Sequence, residues 1–146
     1  MAVKPIKQLR PVAEIEAQFR RNVADMNSAV LKNLASAAIG LSPVDTGTYI
    51  TSHAIYEGDN LGSIPTLYSS LARPGGQDYS QFAGTGLAKL TAMIDMLDHS
   101  SGNYIFGNES EHRWDVEVPL AYRVFSGTRA AFPAAVQAAK ASTGLK

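Results

Sequence analysis

The stretch VAEIEAQFRRNVADMNSAVLKNLASAAI, residues 12–39, decides how this chain folds. Within it Ile15, Phe19, Val23, Met26, Val30 and Leu34 recur at spacings of four, four, three, four and four residues. That period puts them on one stripe of an α-helix. Glu16 and Arg20 add a favourable pair one turn apart on the polar side. At ~1.5 Å per residue such a helix is on the order of 40 Å long. A chain of 146 residues builds a single core, and the rod is expected to outspan it.

Upstream of the helix, residues 1–11 set Pro5 and Pro11 among Lys4, Lys7 and Arg10. This composition resists helix and offers too little apolar surface to pack alone, so it reads as a flexible N-terminal arm. Residues 12–146 then form one domain. Apolar residues make up 45% of the chain and charged ones 18%, which disfavours general disorder. Cysteine is absent, which excludes disulfides and thiolate chemistry. No apolar run approaches the ~18 residues of a bilayer span, and the first residues carry no secretory pattern. Net charge is zero, but the signs are segregated: direct counting gives six basic and three acidic residues in 1–40, two and eight in 41–112, and five and two in 113–146. The acidic middle argues against a footprint for nucleic acid over the whole protein.

Downstream, Gly40 suits the left-handed position that closes a helix, and Pro43 blocks continuation. Asp45 is placed to accept hydrogen bonds from the amides of Thr46 and Gly47, and Gly47 tolerates positive φ. Pro43, Asp45, Thr46 and Gly47 thus define a sharp structural corner. Tyr49–Tyr56 is rich in Tyr, Ile and Thr and enters a strand, after one helical turn. Residues 57–84 form a long irregular loop in which Ser63 and Pro65 start a short helix bearing Leu67, Tyr68 and Leu71. A second helix covers Thr85–Asp98, with Leu87, Leu90, Met93, Ile94 and Leu97 on one face and His99 and Gly102 at its end. NYIFGN, residues 103–108, and the alternating RWDVEV, residues 113–118, read as strands. LAYRVF, residues 120–125, is a third candidate, extended or helical, closed by the turn-prone Ser126-Gly127-Thr128. Pro133–Ala141 is an alanine-rich short terminal helix. The sum is an α+β fold: a long N-terminal amphipathic helix on a small, mainly antiparallel sheet, with a second helix and a short C-terminal one.

Signals for chemistry are few. AGTGLAKL, residues 83–90, sets glycines before Lys89, but the chain has no Gly-Lys-Ser/Thr sequence, so the phosphate-loop lysine and hydroxyl are missing. The three histidines, His53, His99 and His112, show no metal-ligand spacing and read as surface or turn residues. Glu109, Glu111, Asp115 and Glu117 form the densest acidic cluster. Oxygen ligands in that number suit a divalent cation, although the glycine-bearing loop that wraps such ions is absent. Asp95 and Asp98 lie three apart on a helix without a recognisable substrate pocket. No serine sits in a nucleophile elbow, and Asn108-Glu109-Ser110 matches a glycosylation acceptor only in a secreted context. No catalytic, cofactor or metal residue is assigned.

A long amphipathic helix, then PVDTGTYITS, then strands, then VPLAYRVFSGT resembles a family of tailed-bacteriophage head-to-tail joining proteins, also called neck or tail-completion proteins. The family's first corner reads Pro-Val-Asp-Thr-Gly followed by Leu-Arg-x-Ser. Pro43, Val44, Asp45, Thr46 and Gly47 match it, with Tyr49 and Ile50 in place of Leu-Arg. Ala121-Tyr122 and Phe125 to Thr128 approximate the second corner. The resemblance implies a non-enzymatic structural virion protein: a homo-oligomeric ring, hexamer or dodecamer, between the portal, adaptor or stopper proteins and the tail tube. It would use no cofactor and no membrane, meet DNA only as cargo passing through its channel, and be assembled in the host cytoplasm. Tyr49, Tyr122, Phe125, Gly127 and Thr128 are then candidate assembly-interface residues. The alternative from another class is a small divalent-ion-dependent binding domain or enzyme using the acidic segment Glu109–Glu117. A DNA-binding adaptor using Lys4, Lys7 and Arg10 is a third reading, and it predicts steeply salt-dependent affinity.

Overall fold

The computed structural model describes residues 10–43, 47–59, 81–100, 102–111, 113–117 and 123–144. The apolar stripe does form one continuous helix, α1 (Val12–Leu41), of 30 residues. It runs through Gly40 rather than ending there, and closes on Ser42, whose backbone is extended, ahead of Pro43. The helix continues because Ser42 completes its end: the Ser42 amide donates to Ile39 O at 3.2 Å and the hydroxyl to Ala38 O at 2.6 Å.

Only part of α1 is covered. Every residue from Val12 to Arg21 is exposed, and burial sets in between Asn22 and Val30. From there on, α1 is packed on several sides. Leu31, Ala35 and Ile39 join Ile50, Ile55, Leu90 and Ile94 in the main cluster. Ala38 contributes to a second cluster with Tyr49, Val116 and Val124, and Val30 to a third with Ala135 and Ala139. Side chains as fully buried as Leu90 and Ile94 each contribute about 2 kcal/mol relative to exposure.

After the corner, one helical turn, α2 (Thr48–Thr51), leads into β1 (His53–Glu57), as Tyr49–Tyr56 was expected to behave. Asp45 and Thr46 lie outside the described residues. Gly47 adopts φ +78°, and a Cβ there would sit 2.3 Å from the Phe82 ring, so the position demands glycine twice over. Helix α3 (Phe82–Asp95) starts and stops three residues earlier than Thr85–Asp98. Phe82 seats against Gly47, while Leu97 falls beyond the helix. Gly84 and Gly86 lie inside α3, so the glycines of AGTGLAKL cradle nothing; at Gly86 the missing Cβ admits the Ile50 carbonyl, which would be 2.4 Å from it. At the far end His99 Nε2 meets Ile94 O at 2.6 Å, and Asn27 Nδ2 donates to His99 O at 2.7 Å, tying α3 to α1.

Strand β2 (Tyr104–Asn108) pairs antiparallel with β1, His53 opposite Asn108 and Glu57 opposite Tyr104. Among the described residues the sheet has these two strands. RWDVEV is not a third: its described part is a helical turn, α4 (Arg113–Glu117). Alternation would give Trp114 and Val116 one environment, yet Trp114 is 69% exposed and Val116 only 5%. Two residues apart on a helix, side chains diverge by about 200°. The Arg113 amide starts this turn on Ser110 O, and its guanidinium holds Asn108 O at 3.1 Å.

Ser126, Gly127 and Thr128 do not form the expected turn either. They lie within α5 (Val124–Ala130), where Gly127 N donates to Arg123 O at 2.8 Å and the Thr128 hydroxyl to Val124 O at 2.7 Å. The turn-prone composition serves packing here, since Gly127 lies against the Leu41 side chain. Helix α6 (Phe132–Thr143) fulfils the C-terminal expectation with proline in its first turn, and lies along α1, where Asn33 Nδ2 donates to Ala135 O at 3.2 Å. The whole is mixed α and β, as the sequence implied. Most of the 57–84 loop, including the helix expected near Ser63, lies outside the described residues. Among those described, no helix is long and apolar enough to cross a membrane.

Two glycine substitutions separate these backbone roles. Gly47→Ala is expected to cost roughly 2 kcal/mol, because it combines left-handed strain with a clash. Gly40→Ala, exposed in a helix with open space around it, is expected to stabilise by about 0.5–1 kcal/mol. Urea denaturation of both variants beside the parent checks the two signs.

Candidate functional site

Three features of the chain carry polar or apolar groups that its sequence alone does not explain. The first is buried. His53 is 0% exposed, contrary to its reading as a surface or turn residue, because β1 carries it inward opposite Asn108. His53 Nε2 and Ser42 Oγ are 2.6 Å apart, and Asn108 Nδ2 is 3.3 Å from Nδ1. In the arrangement where the Ser42 hydroxyl donates to Ala38 O, Nε2–H donates to Ser42 Oγ and Asn108 donates to Nδ1. Asn108 also donates to Tyr49 O at 2.8 Å and accepts from the Ser110 amide at 2.8 Å.

A serine, a histidine and an asparagine in line suggest a nucleophile, a base and its orienting group. The proton directions oppose that chemistry. In that arrangement the Ser42 proton goes to a helix carbonyl 2.6 Å away rather than to the imidazole. Ser42 and Asn108 are themselves buried, at 8% and 1% exposure. The network instead pins the end of α1 to both strands. Burial holds the His53 pKa down, from 6.5 to about 4; the Gly107 backbone opposes this and the Lys89 charge reinforces it.

The second feature is a partly buried cluster at the outer side of α3. Lys89 Nζ lies 3.3 Å from Glu109 Oε2 and donates to Thr51 O at 3.2 Å, while the Tyr56 hydroxyl donates to Glu109 Oε1. Partial burial, the Glu109 hydrogen bond and that carboxylate's charge push the Tyr56 phenol up to about 12. Glu109 therefore turns into the protein and spends both oxygens there. The side chains of Asp115 and Glu117 lie outside the described residues, and among those described no three acidic or histidine ligands converge. Asp95 pairs with Lys32 at 2.7 Å, and Asp98 caps Ser100, whose side-chain and backbone hydrogen bonds lower its pKa. These two carboxylates thus serve separate structural ends.

The third feature is apolar surface. Val12, Ile15 and Phe19 are 80%, 54% and 67% exposed, and their spacing puts them on one face of the uncovered end of α1. Elsewhere an open groove of about 630 Å³ runs between α6, α5 and β2, lined by Leu34, Tyr104, Phe106, Phe125 and Phe132, with Arg129 at its edge. The corner and interface candidates divide differently from their sequence grouping. Tyr49 is buried edge-on to His53, with ring centroids 5.2 Å apart, and Phe125 meets the same imidazole at 6.4 Å. Thr128 is buried and Gly127 half-buried. Tyr49 and Phe125 meet at His53, and among the candidates Phe125 and Thr128 also line the groove. Tyr122, Asp45, Thr46 and His112 lie outside the described residues, as do Lys4 and Lys7, while Arg10 is exposed.

No family model, curated protein or solved structure matches the chain.

Two titrations follow from the geometry. The folded state binds the His53 proton less readily than the unfolded chain does. Stability is therefore complete above pH 6.5, and declines as the pH falls toward 4, by roughly 3 kcal/mol in all. Urea unfolding across that range checks it, with His53→Phe expected to flatten the slope. Separately, Glu109→Gln is expected to bring the Tyr56 phenol down from about 12 toward its ordinary value of 10.0; tyrosinate absorbance, with Tyr56→Phe subtracted, reads the change.

Proposed function

We propose that this chain is a structural subunit of a tailed-phage neck or tail terminus. It forms a homo-oligomeric ring that links the capsid connector to the tail tube. The observation that carries this reading is the uncovered end of α1, where ten consecutive residues from Val12 to Arg21 stand free of the core and present an apolar face. Single exposed apolar side chains are ordinary, but three on one helical face form a contact surface in want of a partner.

The match of Pro43, Val44, Asp45, Thr46 and Gly47 to the first corner of the head-to-tail joining family supports the same reading. So does the positive φ of Gly47, which fits a conformational role for that motif. The polar networks around His53 and Glu109 read as internal fastenings and supply no reacting group. In this role the protein works in the virion neck or tail after assembly in the host cytoplasm. Portal, adaptor or stopper proteins lie on one side of it and tube proteins on the other, and DNA passes through the channel without being read.

Mass measurement of the native protein, alone and mixed with portal or tail proteins, tests this. An assembled species is expected for the parent chain. The double variant Ile15→Ser/Phe19→Ser is expected to stay monomeric with thermal stability unchanged within ~0.5 kcal/mol, since both positions are exposed. A parent chain that remains a monomer and ignores both partners would overturn the assignment.

A further inference from the structure

We infer that the Val12–Ile15–Phe19 face of one copy seats in the groove between α6, α5 and β2 of the next copy. The inference rests on the ring-subunit reading and names the two surfaces that meet. Both are apolar, and they lie at different places on the same chain.

The helix cannot fill its own groove. Leu34 lines it and belongs to the same unbroken helix as Phe19. Fifteen residues of helix separate the two by about 22 Å of rigid rod. This face can therefore fill such a groove only on another chain.

One complementary pair of charges, Glu16 at the border of the apolar face and Arg129 at the groove, points to a second copy as the occupant. Residues 123–144 carry Arg123, Arg129 and Lys140 and no acidic side chain. At the groove edge Arg129 has no carboxylate at ion-pair distance among the described residues. The uncovered end of α1 offers Glu16, which the helical period places about 40° from Val12, at the border of the apolar face. Among the described residues Glu16 is held by its exposed pair with Arg20 at 2.7 Å, an interaction weak enough to be exchanged or shared.

Stripe-on-stripe pairing of two copies is the competing arrangement. It would match three apolar residues against three, far short of the several heptads that sustain a two-helix contact, and it would leave the groove and Arg129 unused. A contact between two different patches repeats from copy to copy, and closes into a ring when the rotation allows.

The chain has no cysteine, so single-cysteine variants report the contact directly. Phe19→Cys and Phe132→Cys both alter exposed side chains and are expected to fold. Mixed and treated with a short bis-maleimide, they should yield a covalent dimer joining one variant to the other, with little product from either alone. A chain carrying both changes should give a ladder of larger products. Arg129→Glu should weaken assembly about tenfold, and Glu16→Arg in the same chain should restore it. Preferential linkage of F19C to itself would overturn the inference in favour of stripe pairing. An assembled parent protein whose mixed variants fail to link would sink this contact while leaving the ring reading intact. A chain monomeric at every concentration would end both.

Discussion

The burial of the second half of α1 is the constraint on which the remaining structure depends. Leu31, Ala35, Ala38 and Ile39 meet α3, both strands, α4 and α5, while Val30 meets α6. The two-stranded sheet is too small to sustain itself. It is stable because Ile55 packs into the same cluster as Leu90 and Ile94. Alanine at positions 35, 38, 135 and 139, all buried, keeps side-chain bulk low where α1 packs on its neighbours and α6 on α1.

Polar fastenings then fix how these apolar surfaces register. A buried imidazole without partners would be costly, so His53 constrains the molecule to the arrangement in which Ser42 and Asn108 both reach it. That requirement links the end of a helix to two strands. Glu109 does the same between β1 and α3 through Tyr56 and Lys89. Both networks turn their polar groups inward, and among the described residues His53, Ser42, Asn108 and Glu109 are held by internal hydrogen bonds.

What could be read from the sequence follows physical range. The helix of residues 12–39 is set by local period, and the strand at NYIFGN and the terminal helix by local composition, aromatic in one and alanine-rich behind a proline in the other; each appears where its signal lies. Gly47 was legible because a corner needs a positive φ somewhere. RWDVEV misled because alternation over six residues is compatible with one helical turn in which Val116 packs inward and Trp114 faces out. His53 misled because its burial depends on residues 11 and 55 positions away. The second helix begins at Phe82, which meets Gly47 from 35 positions earlier in the sequence. Most telling is Phe19, which has the same periodic signature as Val30. Periodicity reports that a helix has an apolar side; it is silent on whether the cover comes from the same polypeptide.

The two halves of α1 also differ in how they owe their helicity. A free peptide of ten residues would be helical only a small fraction of the time, since its first turn must nucleate unaided. Here the packed half supplies that nucleus, and the bare half need only extend it, one hydrogen bond at a time. A visitor to that end finds a ridge already shaped and loses little entropy in gripping it. Amide exchange should accordingly grade along one helix, quick at Glu14 and slow at Ile39, with the quick portion slowing when the ridge is occupied.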